Sequence, residues 1–124
     1  MPVALGQDDI EDAYYPFGRH HLLEVAFLAA HLLEARDAAG QELVYDAVTT
    51  TAARVLGLPD HRLGPGGAAD LVIHRSSRLR DVLAEHVAPA VVLASGRVVA
   101  TTHEVTTYPS GPAGREDDPG PGSM

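Results

Sequence analysis

Cysteine is absent from the chain, which excludes a disulfide framework and any thiolate metal cluster. Its absence agrees with a cytoplasmic protein. Positive charge is scarce: 9 Lys and Arg stand against 17 Asp and Glu, giving a formal net charge of −8. A phosphate backbone or an anionic membrane surface is therefore a poor partner, so no nucleic acid and no membrane are expected. Part of the acidity lies in Glu116-Asp117-Asp118, near the end of the chain, and does not describe a binding face. No basic segment followed by an apolar stretch opens the sequence, so no signal peptide is visible. The longest apolar run, Val25 to Leu33, is interrupted by His31 and is too short to span a bilayer. No internal repeat of solenoid period occurs.

What is present is 45% apolar residues in 124, enough for one domain or pieces of one. Val3 to Leu5 has strand composition and runs into two carboxylates, Asp8 and Asp9. Residues 8–18 read as an acidic, aromatic loop in which Pro16 presets a turn. Arg19 to Ala38 follows a helical period. A narrow polar stripe of His20, Glu24, His31 and Glu34 leaves apolar residues around most of the circumference, and Gly40 is the expected stop. A helix so apolar expects neighbours on several sides. Glu42 to Leu56 forms a second expected helix, ended by Gly57.

Beyond it, residues 58–67 form a Pro/Gly loop with tight turns at Gly64 to Gly67. Ala69 to His74 reads as a strand and Arg78 to His86 as a short helix. Two β-rich runs, Ala90 to Ala94 and Arg97 to Thr101, flank Ser95-Gly96 as a hairpin. Residues 109–124 are rich in Pro, Gly and acid and offer no core, so a disordered tail is expected.

Spacing alone leaves the candidate sites open. Asp8 and Asp9 suit a turn or helix cap as well as a metal ligand or proton-transfer carboxylate. The seven histidines include no His-x-His and no His-Glu-x-x-His, and His20, His21 and His31 are not at i, i+4, so they read as solvated. Tyr14, Tyr15 and Phe17 suit packing anchors or a pocket lining. Thr49-Thr50-Thr51 lacks a paired base, and Gly64 to Gly67 lacks phosphate-loop context.

With those residues laid out, the chain resembles the C-terminal third of metal-dependent amidohydrolases, most closely the cytosine deaminases. The segment Gly6 to Gly18 is similar to the stretch after that family's last barrel strand. Thr49 to Leu58 resembles a late helix, Leu63 to Ile73 the return into a small β domain, and Val92 to Val99 a closing hairpin. The resemblance covers about residues 3 to 105. It implies an α/β fold: a C-terminal fragment of a (β/α)8 barrel plus part of its small β-sandwich domain. Residues 1–57 would hold the last barrel strand, the active-site loop and two helices, and 58–108 part of the β domain.

By the same resemblance, Asp8 matches the aspartate that contacts the divalent metal, Fe or Zn, and handles the proton of its bound water. Asp9 matches a substrate-pocket acid, and Tyr14 stands where a Trp is usual. Gln7 replaces an expected His, a further departure. The implied reaction is hydrolytic deamination of cytosine or a related heterocycle by metal-activated water. The histidine ligands of the early and middle strands are missing, and a whole barrel takes roughly 200 residues or more. The expectation is therefore a fragment, inactive alone and holding no metal by itself, that pairs with a companion polypeptide or self-associates. The rival expectation is a non-enzymatic interaction module or a pseudogene relic.

Overall fold

Among the described residues, four helices and three strands follow one another as α1 (Leu22–Leu32), α2 (Ala38–Val48), α3 (Thr50–Val55), β1 (Leu71–Ile73), α4 (Leu79–Glu85), β2 (Val91–Ala94) and β3 (Arg97–Thr101). The structure is a computed structural model and describes residues 1–8, 19–58 and 61–107. The expected tail lies outside the described residues.

Residues 1–8 form no strand, contrary to the expectation for Val3 to Leu5. A strand needs a neighbouring ladder, and the three strands present pair with one another instead. The segment runs beside α2, where the Leu5 N–H donates to the Ala47 carbonyl at 2.9 Å. Ala47 is in the last turn of α2, where carbonyls have no partner within the helix, so the contact satisfies one of them. Leu5 also packs against the helical core.

The first helix is shorter than its periodicity suggested. It ends at Leu32 with Glu34 in the left-handed region, φ 51°. Glu34 N–H donates to the His31 carbonyl at 3.3 Å and Ala35 N–H to the Ala30 carbonyl at 2.9 Å. These are the paired bonds of a Schellman stop, formed here around Glu rather than Gly. Asp37 then caps α2, its Oδ1 accepting from Gly40 N–H at 2.8 Å. Gly40 is thus not a terminator but part of the first turn of α2. A Cβ there would lie 3.0 Å from both Ala35 Cα and Asp37 Oδ1, so the tight reversal between the helices depends on its bareness.

The expected second helix is divided at Thr49, whose backbone (φ −128°, ψ −98°) leaves the helical region. Thr49 Oγ1 donates to the Tyr45 carbonyl at 2.8 Å and Thr50 Oγ1 to Asp46 Oδ1 at 3.2 Å. The Thr49 hydroxyl, bonded back by one turn to a backbone carbonyl, competes with the helical ladder and bends it, while Thr50 ties α3 to the Asp46 side chain. Gly57, φ +73°, stops α3 as expected, with Leu58 N–H on the Ala53 carbonyl at 2.9 Å.

The core belongs to the helices. Leu23, Ala26 and Ala29 of α1 meet Val44 and Val48 of α2 and Val82 and Leu83 of α4, and Ala26 is wholly enclosed. The sheet is antiparallel in the order β1-β2-β3, with Leu71 opposite Leu93 and Ala94 opposite Arg97. The hairpin forms where expected. Ser95 (φ 49°) and Gly96 (φ 74°) both have positive φ, the requirement of a type I′ turn. Asp70 Oδ1 accepts from Ser95 N–H at 2.6 Å and ties the turn to the start of β1. Among the described residues, no strand backbone packs closely against a helix backbone. The two layers meet through side chains around clefts of about 450 and 350 Å³.

Candidate functional site

Asp8 is exposed and stands at the end of the first described segment. Leu5, anchored on α2, fixes where that segment leaves the helical layer. Gln7 beside it is half-buried, with Nε2 enclosed and unpartnered. Asp9 and Tyr14 lie outside the described residues. Among the described residues, no group of three or more His, Asp or Glu could hold a metal ion. A catalytic metal typically takes roughly three protein ligands. The described residues therefore do not by themselves fit the metal that the resemblance implies.

A polar cluster that residue spacing missed lies in the smaller cleft between helices and sheet. His20, His21, Tyr45, Thr49, Val72 and His74 are among the residues around it. His21 occupies the N-cap position of α1 but makes no side-chain cap. Its Nδ1, and Nε2 of His74, are enclosed without a hydrogen-bond partner. Burial foremost holds the His21 pKa below the usual range. The charge of Arg19 and the His74 and His86 rings add to that, while Glu24 opposes it. Burial alone lowers His74. Glu24 pairs with Arg19 Nε at 3.5 Å. Burial, then the Asp46 carboxylate, raises the Tyr45 phenol. Midway along α1, Phe27 stacks on His86 with ring centroids 4.2 Å apart and meets His31 at 4.4 Å.

A search for histidines one helical turn apart could not find His21 with His74. One precedes a helix, the other follows a strand, and only the fold joins them. The faint signal available was a histidine immediately after the apolar run Leu71-Val72-Ile73. The threonine run, by contrast, is accounted for by the bonds that end α2.

The sequence pattern of the amidohydrolase family matches residues 1–100. The chain belongs to that family. This amidohydrolase chain is 34% identical over 103 residues to a pterin deaminase of Rhizobium rhizogenes (strain K84), covering 80% of itself and 22% of that protein. It superposes on N-isopropylammelide isopropylaminohydrolase of Burkholderia multivorans with a TM-score of 0.75 and 31% identity, over 81% of itself and 26% of that chain. It superposes on 5-methylcytosine deaminase of Klebsiella pneumoniae with a TM-score of 0.77 and 24% identity, covering 88% and 27%. The last likeness concerns the fold alone. The α/β architecture is thus that of part of an amidohydrolase barrel protein, as the sequence led us to expect. The amidohydrolase chain spans about a quarter of the length of the relatives it matches.

Proposed function

We propose that this amidohydrolase chain forms part of a hydrolase that cleaves a non-peptide C–N bond on a nitrogen heterocycle, releasing ammonia from cytosine or a related ring. The observation carrying this reading is the family match over residues 1–100, together with relatives named for deaminating or aminohydrolase reactions. Asp8 is the carboxylate assigned to metal contact and proton handling, and Asp9 and Tyr14 are assigned to substrate. The divalent metal, Fe or Zn, is held in the complete unit with ligands from outside the described residues, and the chain alone is inactive. A companion polypeptide or a second copy supplies the missing surfaces. In support, several large apolar side chains face outward among the described residues. No helix among the described residues is long and apolar enough to cross a membrane, and a cytoplasmic location belongs to the same proposal.

Metal content and ammonia release test the reading, with cytosine, 5-methylcytosine and pterin as substrates. Each is measured with the chain alone and with the remaining amidohydrolase portion supplied separately. Turnover is expected only in the reconstituted case. There Asp8→Ala should lower it by about a hundredfold or more, the scale of a positioned proton-transfer group. Asp9→Ala should change the order of preference among the bases. Stoichiometric metal and turnover by the chain alone, or full activity of reconstituted Asp8→Ala, would sink the proposal. Failure of every combination to turn over any base would favour a non-enzymatic module.

A further inference from the structure

Among the described residues, the helical layer and the sheet face one another across clefts lined by side chains of both. The helices share one apolar core, and no strand contributes a residue to it. No strand backbone among the described residues approaches a helix backbone closely. Side chains cross the gap at the 350 Å³ cleft, where His21 comes from the helical side and His74 from the end of β1. Each ring has one nitrogen that is enclosed and unpartnered, Nδ1 of His21 and Nε2 of His74.

A neutral imidazole tolerates this arrangement, because the enclosed nitrogen can stay bare while the other carries the hydrogen. Protonation places an N–H on the enclosed nitrogen, which has no hydrogen-bond partner among the described residues, and a buried donor without a partner is strongly penalised. We infer that His21 and His74 form an acid-sensitive latch between the helical layer and the sheet, shut while both rings are neutral and opened when either takes up a proton.

The surrounding groups favour that behaviour. Arg19 precedes α1, His86 caps α4 and His74 itself follows β1, and all three oppose a positive charge on His21. Tyr45 on α2 stays a neutral phenol, since burial pushes its ionisation upward. Glu24 on α1 is the one group among these that favours the charged ring; its Oε2 is enclosed without a hydrogen-bond partner, with the Arg19 guanidinium 3.5 Å away, and His20 lines the same cleft. Both imidazoles are held below the ordinary histidine value of about 6.5 in the docked state. Above that pH neither the docked nor the free ring binds a proton, and docking is at full strength. As pH falls below it, the free rings protonate first, so docking weakens until the lowered docked values are reached.

The test follows the whole chain by imidazole NMR and amide hydrogen exchange between about pH 8 and about pH 5, the window of histidine titration. Both rings should titrate below about 6.5. Exchange in β1, β2 and β3, corrected for its intrinsic pH dependence, should accelerate by up to about tenfold per pH unit for each ring involved. Protection in α1 and α2 should persist. The variants His21→Gln and His74→Gln, polar but uncharged at every pH, should each flatten the profile. Titration of either ring at or above the ordinary value would overturn the latch. So would loss of helix and sheet protection together, or variants that keep the wild-type profile. Should a variant fail to fold, the wild-type titrations and exchange decide the matter.

Discussion

Glu34 occupies a backbone position that a glycine would take with less strain. Its φ of 51° brings Cβ close to the carbonyl oxygen, a strain of roughly 1–2 kcal/mol for an L-residue. The flanking Schellman bonds hold it there. Its ion pair with Arg36, 3.0 Å long but exposed on both sides, contributes little. Glu34→Gly should therefore stabilise the chain by up to about 1 kcal/mol, after the added flexibility of the unfolded glycine is deducted. Thermal or denaturant unfolding measures this, and a lower midpoint would show that the turn does not strain Glu34. The same residue explains a misreading of the sequence: Glu34 continued a helical polar stripe, and nothing in its chemistry marked it as a left-handed stop. His21 and His74 were obscure for a different reason, since their enclosed nitrogens arise from long-range packing. Asp8 is assigned only through its resemblance to a family motif, and its exposure gives it no distinction of its own.

At the scale of elements, legibility followed locality. Ser95-Gly96 between β-rich runs specified the hairpin, because a type I′ turn demands residues that accept positive φ. Gly57 ended α3 for a comparable reason. The break between α1 and α2 was expected but placed too late, and the break at Thr49 was missed; side-chain bonds to the backbone mark the start of α2 and its end. Asp37 captures Gly40 N–H to start a new helix, and Thr49 bonds back to Tyr45 to end one. Such competition is decided by a single hydrogen bond, which hydrophobic periodicity does not register. Val3 to Leu5 carried the composition of a strand without a partner to pair with. Its N–H found an orphan helix carbonyl instead.

The whole molecule carries the mark of a thin core. Ala26, Ala29 and Val44 fill small volumes, while Leu32 is 84% exposed and Leu43 68%. A helix apolar around most of its circumference was expected to want several neighbours, and α1 finds α2 and α4 but leaves Leu28 and Leu32 outward. Exposed apolar surface of this kind drives association. The chain on its own should thus self-associate with rising concentration in sedimentation and bind an apolar dye. A compact monomer that binds none would contradict this. The turn at Ser95-Gly96 bears on how such a chain assembles in time. It joins β2 to β3 across two residues, whereas β1 reaches β2 only after residues 74–90, including α4, have looped back. Closing a short loop loses less chain entropy than closing a long one, and hairpins form in about 1–10 μs. The hairpin should therefore be an early event in refolding and the arrival of β1 a late one. Gly96→Ala, strained at φ 74°, should slow refolding, while Leu71→Ala should chiefly hasten unfolding. Stopped-flow kinetics showing the reverse division would mean that β1 docks before the turn is made.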